Sequence, residues 1–187
     1  MFETIALAGV AVLAIVVVVV LILAASKPDS FRVERKATVK TDPGHVFQCI
    51  NDFHNWAEWS PFEKIDPNMK KTFSGAASGK GAVYEWSGNN KAGTGRMEIL
   101  ESSAPTKITI RLDFLKPFEG HNTSEFTMVP KGDSTEVTWA MHGPSAFMMK
   151  VMHVFVSMDK MIGRDFESGL GSLKALAEGG DSKASKP

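Results

Sequence analysis

Residues 5–25, IALAGVAVLAIVVVVVLILAA, carry no charged or strongly polar side chain. A helix of that length rises about 30 Å, the thickness of a hydrocarbon core, and a helix apolar on every side has no face to give to water. The run reads as an uncleaved, single-pass membrane anchor. A cleaved signal peptide would want a basic start and a shorter apolar core, whereas this chain begins Met1-Phe2-Glu3. Ala24-Ala25-Ser26 is only a faint cleavage match. Lys27, Arg32, Arg35 and Lys36 come after the run, against Glu3 before it, so the positive-inside rule puts the folded domain on the cytoplasmic side. Residues 26–30 are the whole linker and reach at most about 17 Å. A domain on so short a tether is held against the bilayer surface. The chain thus divides into an anchor and linker (1–30), a folded domain (31–178) and a small polar tail (179–187) expected to be disordered.

Within the domain, alternation is the main signal. Phe31, Val33, Arg35, Ala37 and Val39 fall on one side of a strand over 31–41, and Arg32, Glu34, Lys36, Thr38 and Lys40 on the other. Asp42-Pro43 then opens a helix, as cap and first residue, with Val46, Phe47 and Ile50 on its apolar side. An aromatic segment, 53–62, ends near Pro61. Strands follow over 69–74, 82–87, 94–101, 107–115, 120–129 and 135–142, joined by turns rich in Gly, Asn and Asp. Hairpins in series make an antiparallel sheet. A methionine-rich helix over 145–156 carries Phe147, Met148, Val151, Met152 and Phe155 on its apolar side, and is expected to act as a lid near the bilayer.

The sheet needs something to pack on, and residues 157–178 supply it. Met158, Met161, Ile162, Phe166, Leu170, Leu173 and Leu176 recur at helical spacing, with Ser157 as N-cap and Gly179-Gly180 as a stop. Gly163, Gly169 and Gly171 lie inside that helix, where each costs about 1 kcal/mol relative to Ala. They make sense where another backbone, or a ligand, comes close. The fold class is therefore α+β of helix-grip type: a curved antiparallel sheet around a long C-terminal helix.

Two stretches carry a resemblance. VKTDPGHVFQCINDFHNWAEWSP (39–61) resembles the opening of the SRPBCC superfamily, which contains START lipid-transfer, birch-pollen-allergen-like and polyketide cyclase/dehydrase-like proteins. MIGRDFESGLGSLK (161–174) is similar to the end of its polyketide cyclase/dehydrase-like branch. The resemblance implies a deep apolar cavity between sheet and final helix. It leaves function open, because carriers, cyclases, hydroxylase subunits and chaperone activators share the fold.

Several chemistries are disfavoured by the residues themselves. Lys plus Arg and Asp plus Glu each number 21, a net charge of +0 that argues against a nucleic-acid partner. The five histidines lack ligand spacing and Cys49 stands alone, so no metal site or cofactor is expected, and a Rieske centre is ruled out. The glycines around Lys80 and Gly93 fit hairpin turns rather than phosphate loops. Glu58, Arg96, Glu98, Asp113, His121, Glu125 and His142 are available for acid–base work, but no constellation stands out and no catalytic residue is assigned.

The aromatic set is more informative. Trp59, Tyr84, Trp86, Phe114, Phe126 and Trp139 can face Met158, Ile162, Phe166 and Leu170, as plain core or as the wall of a ligand site. The expected function is a membrane-anchored domain that binds a hydrophobic small molecule or lipid in that cavity. The rival readings are a polyketide cyclase/dehydrase-like enzyme and an interaction module whose core is filled.

Overall fold

A computed structural model of the chain describes residues 2–184, with side chains described from 7 to 179 apart from 8. Its elements are α1 (Phe2–Ala25), β1 (Ser30–Val39), α2 (Pro43–Asn51), α3 (Trp56–Trp59), β2 (Lys70–Gly75), β3 (Ala82–Ser87), β4 (Thr94–Ser103), β5 (Lys107–Lys116), β6 (Gly120–Lys131), β7 (Ser134–Pro144), α4 (Phe147–Phe155) and α5 (Met158–Ala184). Single 3-10 turns at Phe53–Asn55 and Pro61–Lys64 flank α3.

All seven strands pair antiparallel in the order β1-β7-β6-β5-β4-β3-β2. Every expected strand is present, with ends moved by a residue or two. Asp42 caps α2 as anticipated: its Oδ1 accepts from Gly44 N at 2.8 Å and His45 N at 3.1 Å, and Pro43 fills the first position. Ser157 Oγ likewise accepts from Lys160 N at 3.3 Å at the start of α5.

The long helix α5 lies along β1, with α2, α3 and the 61–64 turn packed on it from the other flank. Phe166, Leu170, Leu173 and Ala177 form its buried stripe. They meet Val33 and Val39 of β1, Val137 and Trp139 of β7, and Phe126 and Met128 of β6 in one core. Burial of each large apolar side chain contributes about 1.5–3 kcal/mol, so this stripe is what fixes α5 to the sheet.

Two expectations are corrected. Gly179-Gly180 does not stop α5, which continues to Ala184; glycine weakens a helix without forbidding one. Residues 179–184 of the expected tail are therefore its last turns, while 185–187 lie outside the described residues. Gly163 and Gly169 of α5 accommodate side chains rather than another backbone. An added Cβ at Gly163 would overlap the Arg35 guanidinium, and one at Gly169 would lie 2.7 Å from Trp139 Cζ3 and 2.9 Å from Pro61 Cδ. Gly171 meets nothing within 4 Å.

α4 is inverted relative to a helix surrounded by water. Its apolar side, including Phe147, Met148, Met152 and Phe155, faces outward, and Lys150 and His153 face inward. α4 packs against α1, where Ala24 is fully buried and Val20 half-buried. Among the described residues no helix is long and apolar enough to cross a membrane. The run expected to do so, 5–25, lies within α1, whose side chains at 2–6 and 8 are not among those described.

Candidate functional site

The inner face of the sheet is set by register. Arg35 pairs with Trp139, Trp139 with Phe126 and Phe126 with Ile108, so these side chains cross the sheet in one row. Phe166 of α5 drops onto the centre of that row. Its ring stacks on Trp139 with centroids 4.1 Å apart and planes 7° from parallel, and Trp139 stacks on Phe126 at 4.9 Å. Trp59 of α3 meets Trp139 and Phe126 edge-on, at 5.6 and 6.0 Å. Contacts of this kind add about 0.5–1.5 kcal/mol beyond area burial. The indole N–H groups are satisfied too: Trp139 Nε1 donates to Ser124 Oγ at 3.0 Å, and Trp59 Nε1 to the Cys49 carbonyl at 3.1 Å.

This packing separates the ten expected wall residues. Trp59, Tyr84, Trp86, Phe126, Trp139, Phe166 and Leu170 are buried, at most 8% exposed, and pack as core. Phe114, Met158 and Ile162 remain half-buried. Phe31, Leu112 and Asn122 share that character, and the pairing of Leu112 with Asn122 and of Phe31 with Gly143 places them toward one end of the sheet. That end adjoins Ser30, where the chain arrives from α1.

One polar cluster on the inner side is mutually satisfied. Tyr84 Oη donates to Glu63 Oε1 at 2.7 Å, and Lys71 Nζ binds the other oxygen of the same carboxylate. Burial and the Glu63 carboxylate together push the Tyr84 phenol upward. The cluster was not foreseen, since Glu63 follows Pro61-Phe62 in a stretch with no periodic pattern. With each member occupied by the others, it aims no free group at a substrate.

Arg35 is a further polar residue on the inner side, in the row with Trp139. Its Nη1 donates to Asp159 Oδ1 at 2.9 Å and its Nε to Glu167 Oε1 at 2.7 Å, tying β1 to the first turns of α5. Those carboxylates, Asp159 first, raise the Arg35 guanidinium, and Arg35 in turn holds Asp159 below its ordinary value.

Of the other acid–base candidates, Glu58 is exposed on α3, and those on the strands stand on the outer face. Arg96 Nη1 donates to Glu98 Oε2 at 2.8 Å, His121 Nδ1 lies 2.8 Å from Asp113 Oδ1, and His142 Nε2 lies 3.4 Å from Glu125 Oε2. The hydrogen bond to Asp113 raises the His121 imidazole, and the Arg96 guanidinium lowers the Glu98 carboxyl. Two open concavities of about 660 and 390 Å³ lie by these residues, lined by Arg32, His121, Thr123 and His142 and by Leu100, Arg111 and Asp113. None of the ten expected wall residues lines either. Among the described residues no group of His, Cys, Asp and Glu is placed to hold a metal ion.

A family model described as polyketide cyclase / dehydrase and lipid transport matches residues 30–178. No curated protein matches the chain. Solved structures share the fold at low identity. A protein of unknown function from Staphylococcus aureus has a TM-score of 0.61 and 10% identity, covering 82% of this chain and 96% of its own. Protein CV1439 from Chromobacterium violaceum has a TM-score of 0.55 and 15% identity, with 81% and 99% covered. The Aha1 dimer from Colwellia psychrerythraea has a TM-score of 0.54 and 13% identity, with 79% and 96% covered.

Proposed function

The chain belongs to the polyketide cyclase/dehydrase and lipid transport family, and from that premise we propose that it is a membrane-tethered domain that binds a hydrophobic small molecule or lipid. The binding surface is the half-buried end of the inner sheet face, built on Phe114, Met158 and Ile162, rather than the filled centre around Trp139. The observation that carries this reading is where apolar surface remains. Leu115 and Phe118 at the β5–β6 turn, and Met161 at the start of α5, are exposed at the end of the sheet from which α1 departs. Exposed apolar surface gathered in one place marks a site of interaction.

The tether is α1. Leu7, Leu13 and Ile22 on its different sides are all more than 60% exposed, a surface water does not tolerate on a helix this apolar. The folded domain stands on the cytoplasmic side, a placement favoured by Lys27 and the basic start of β1.

A diazirine-bearing fatty acid added to the full-length protein in detergent tests the reading. Crosslinks are expected in the peptides holding Phe114, Met158 and Ile162, and not at Phe126 or Trp139. Labelling confined to α1 would overturn it. That outcome would favour the second reading, an interaction module with a filled core, which the stacking of Phe166 on Trp139 supports.

A further inference from the structure

We infer that α4 is an interfacial helix, seated in the headgroup region of the same bilayer that α1 enters; the inference rests on the reading of α1 as an anchor. Its carrying observation is an inversion. On a helix of a water-soluble domain the apolar stripe faces the core and the charged residues face solvent. In α4 the stripe Met148, Met152 and Phe155 is 63, 41 and 70% exposed, whereas Lys150 is 8% exposed. Lys150 pairs with Asp29 of the linker, and His153 keeps its Nε2 buried without a hydrogen-bond partner.

The position of α4 fixes the occupant. Ser145 N donates to the Asp29 carbonyl at 2.8 Å, so the chain enters α4 beside the foot of α1. α4 then covers the Val20–Ala24 side of α1's last turns. If α1 crosses a hydrocarbon core, those turns lie at its boundary, and a helix packed on them lies at the same depth. The outward stripe then meets acyl chains, while Lys150, Asp29 and Lys27 sit at headgroup level. This is how an amphipathic helix lies in an interface, and long cationic side chains reach outward from it. The filled helix-grip domain is thus held to the membrane at two points, which fixes its orientation and presents its half-buried end to lipid.

Full-length protein in phosphatidylcholine liposomes provides the test. In a Cys49→Ser background, single cysteines at Leu13→Cys, Met148→Cys, Phe155→Cys and Asp133→Cys carry an environment-sensitive dye, and spin-labelled lipids act as quenchers. Labels at 13, 148 and 155 are expected to shift to the blue and be quenched by the lipid probe, with 133 in the β6–β7 turn unaffected. Quenching at 13 with aqueous spectra at 148 and 155 would overturn the interfacial helix and leave the anchor standing. Blue-shifted but unquenched labels at 148 and 155 would show that protein, not lipid, covers the stripe, and would overturn it equally. An aqueous spectrum at 13 removes the anchor, and the inference with it.

Discussion

Gly163 of α5 lies against the guanidinium of Arg35 on β1, with no room for a Cβ between them. The missing side chain lets Arg35 reach both Asp159 and Glu167, one on either side of the glycine along the helix. In Arg35→Met the steric reason for glycine disappears and only its poor helix propensity remains. Gly163→Ala is expected to lower stability in the native background, because displacing the guanidinium loses the bidentate pairing. In Arg35→Met it is expected to raise stability by about 1 kcal/mol. A double-mutant cycle in urea reads the difference, and equal effects in both backgrounds would refute the coupling.

Gly169 and Gly171 provide a second contrast on the same helix. At Gly169 the Trp139 ring and Pro61 stand within 2.9 Å of a built Cβ, so Gly169→Ala is expected to destabilise by about 1–3 kcal/mol through overpacking. At Gly171 nothing stands within 4 Å, and Gly171→Ala is expected to stabilise by up to about 1 kcal/mol. Thermal melts of the two variants should move in opposite directions.

Phe166 stacks on Trp139 at the centre of the domain, and its removal should open a hollow there. Phe166→Ala is expected to cost about 3–5 kcal/mol and to leave an apolar void. Small aromatic molecules should bind in that void, as in other dry engineered cavities. Benzene should raise the melting temperature of Phe166→Ala and leave the native protein unchanged. A comparable shift in the native protein would mean that its interior already has room.

The carboxylates that clasp α5 to β1 make the clasp sensitive to acid. Hydrogen bonding to Arg35 lowers Asp159, and the Lys40 backbone N–H, with Lys174, lowers Glu178. A carboxylate lowered in the folded state contributes fully above its ordinary range near pH 4, because the unfolded chain then holds no extra proton. As pH falls through the folded value the contribution is lost. The urea midpoint should therefore decline below about pH 4, and Asp159→Asn should make that decline shallower. Identical pH profiles for the two proteins would show that the clasp does not titrate.

The strands were legible because alternation survives in them: Ile108, Ile110, Leu112 and Phe114 announce β5 and its inner face, and Asp42-Pro43 announces α2. Arg35 was placed on the inward stripe by the same alternation. Its partners were hidden, because they stand more than a hundred positions away and only the docking of α5 brings them close. Whether the aromatic residues line a hollow or fill it is a question of volume, which one-dimensional spacing does not carry. Trp139 and Phe166 read equally well as wall and as core until their rings are found 4.1 Å apart. The apolar side of α4 was legible in its spacing, but spacing does not say which way that side faces, and the exposure of Met148 and Phe155 does.

Native mass spectrometry of the detergent-extracted, full-length protein addresses the binding claim most directly. The native chain is expected to fly with a co-purifying hydrophobic molecule, and Ile162→Asp, altered at the half-buried end of the inner face, is expected to lose it. A native chain that flies bare, or an adduct that Ile162→Asp keeps undiminished, would contradict a binding surface at that end of the sheet.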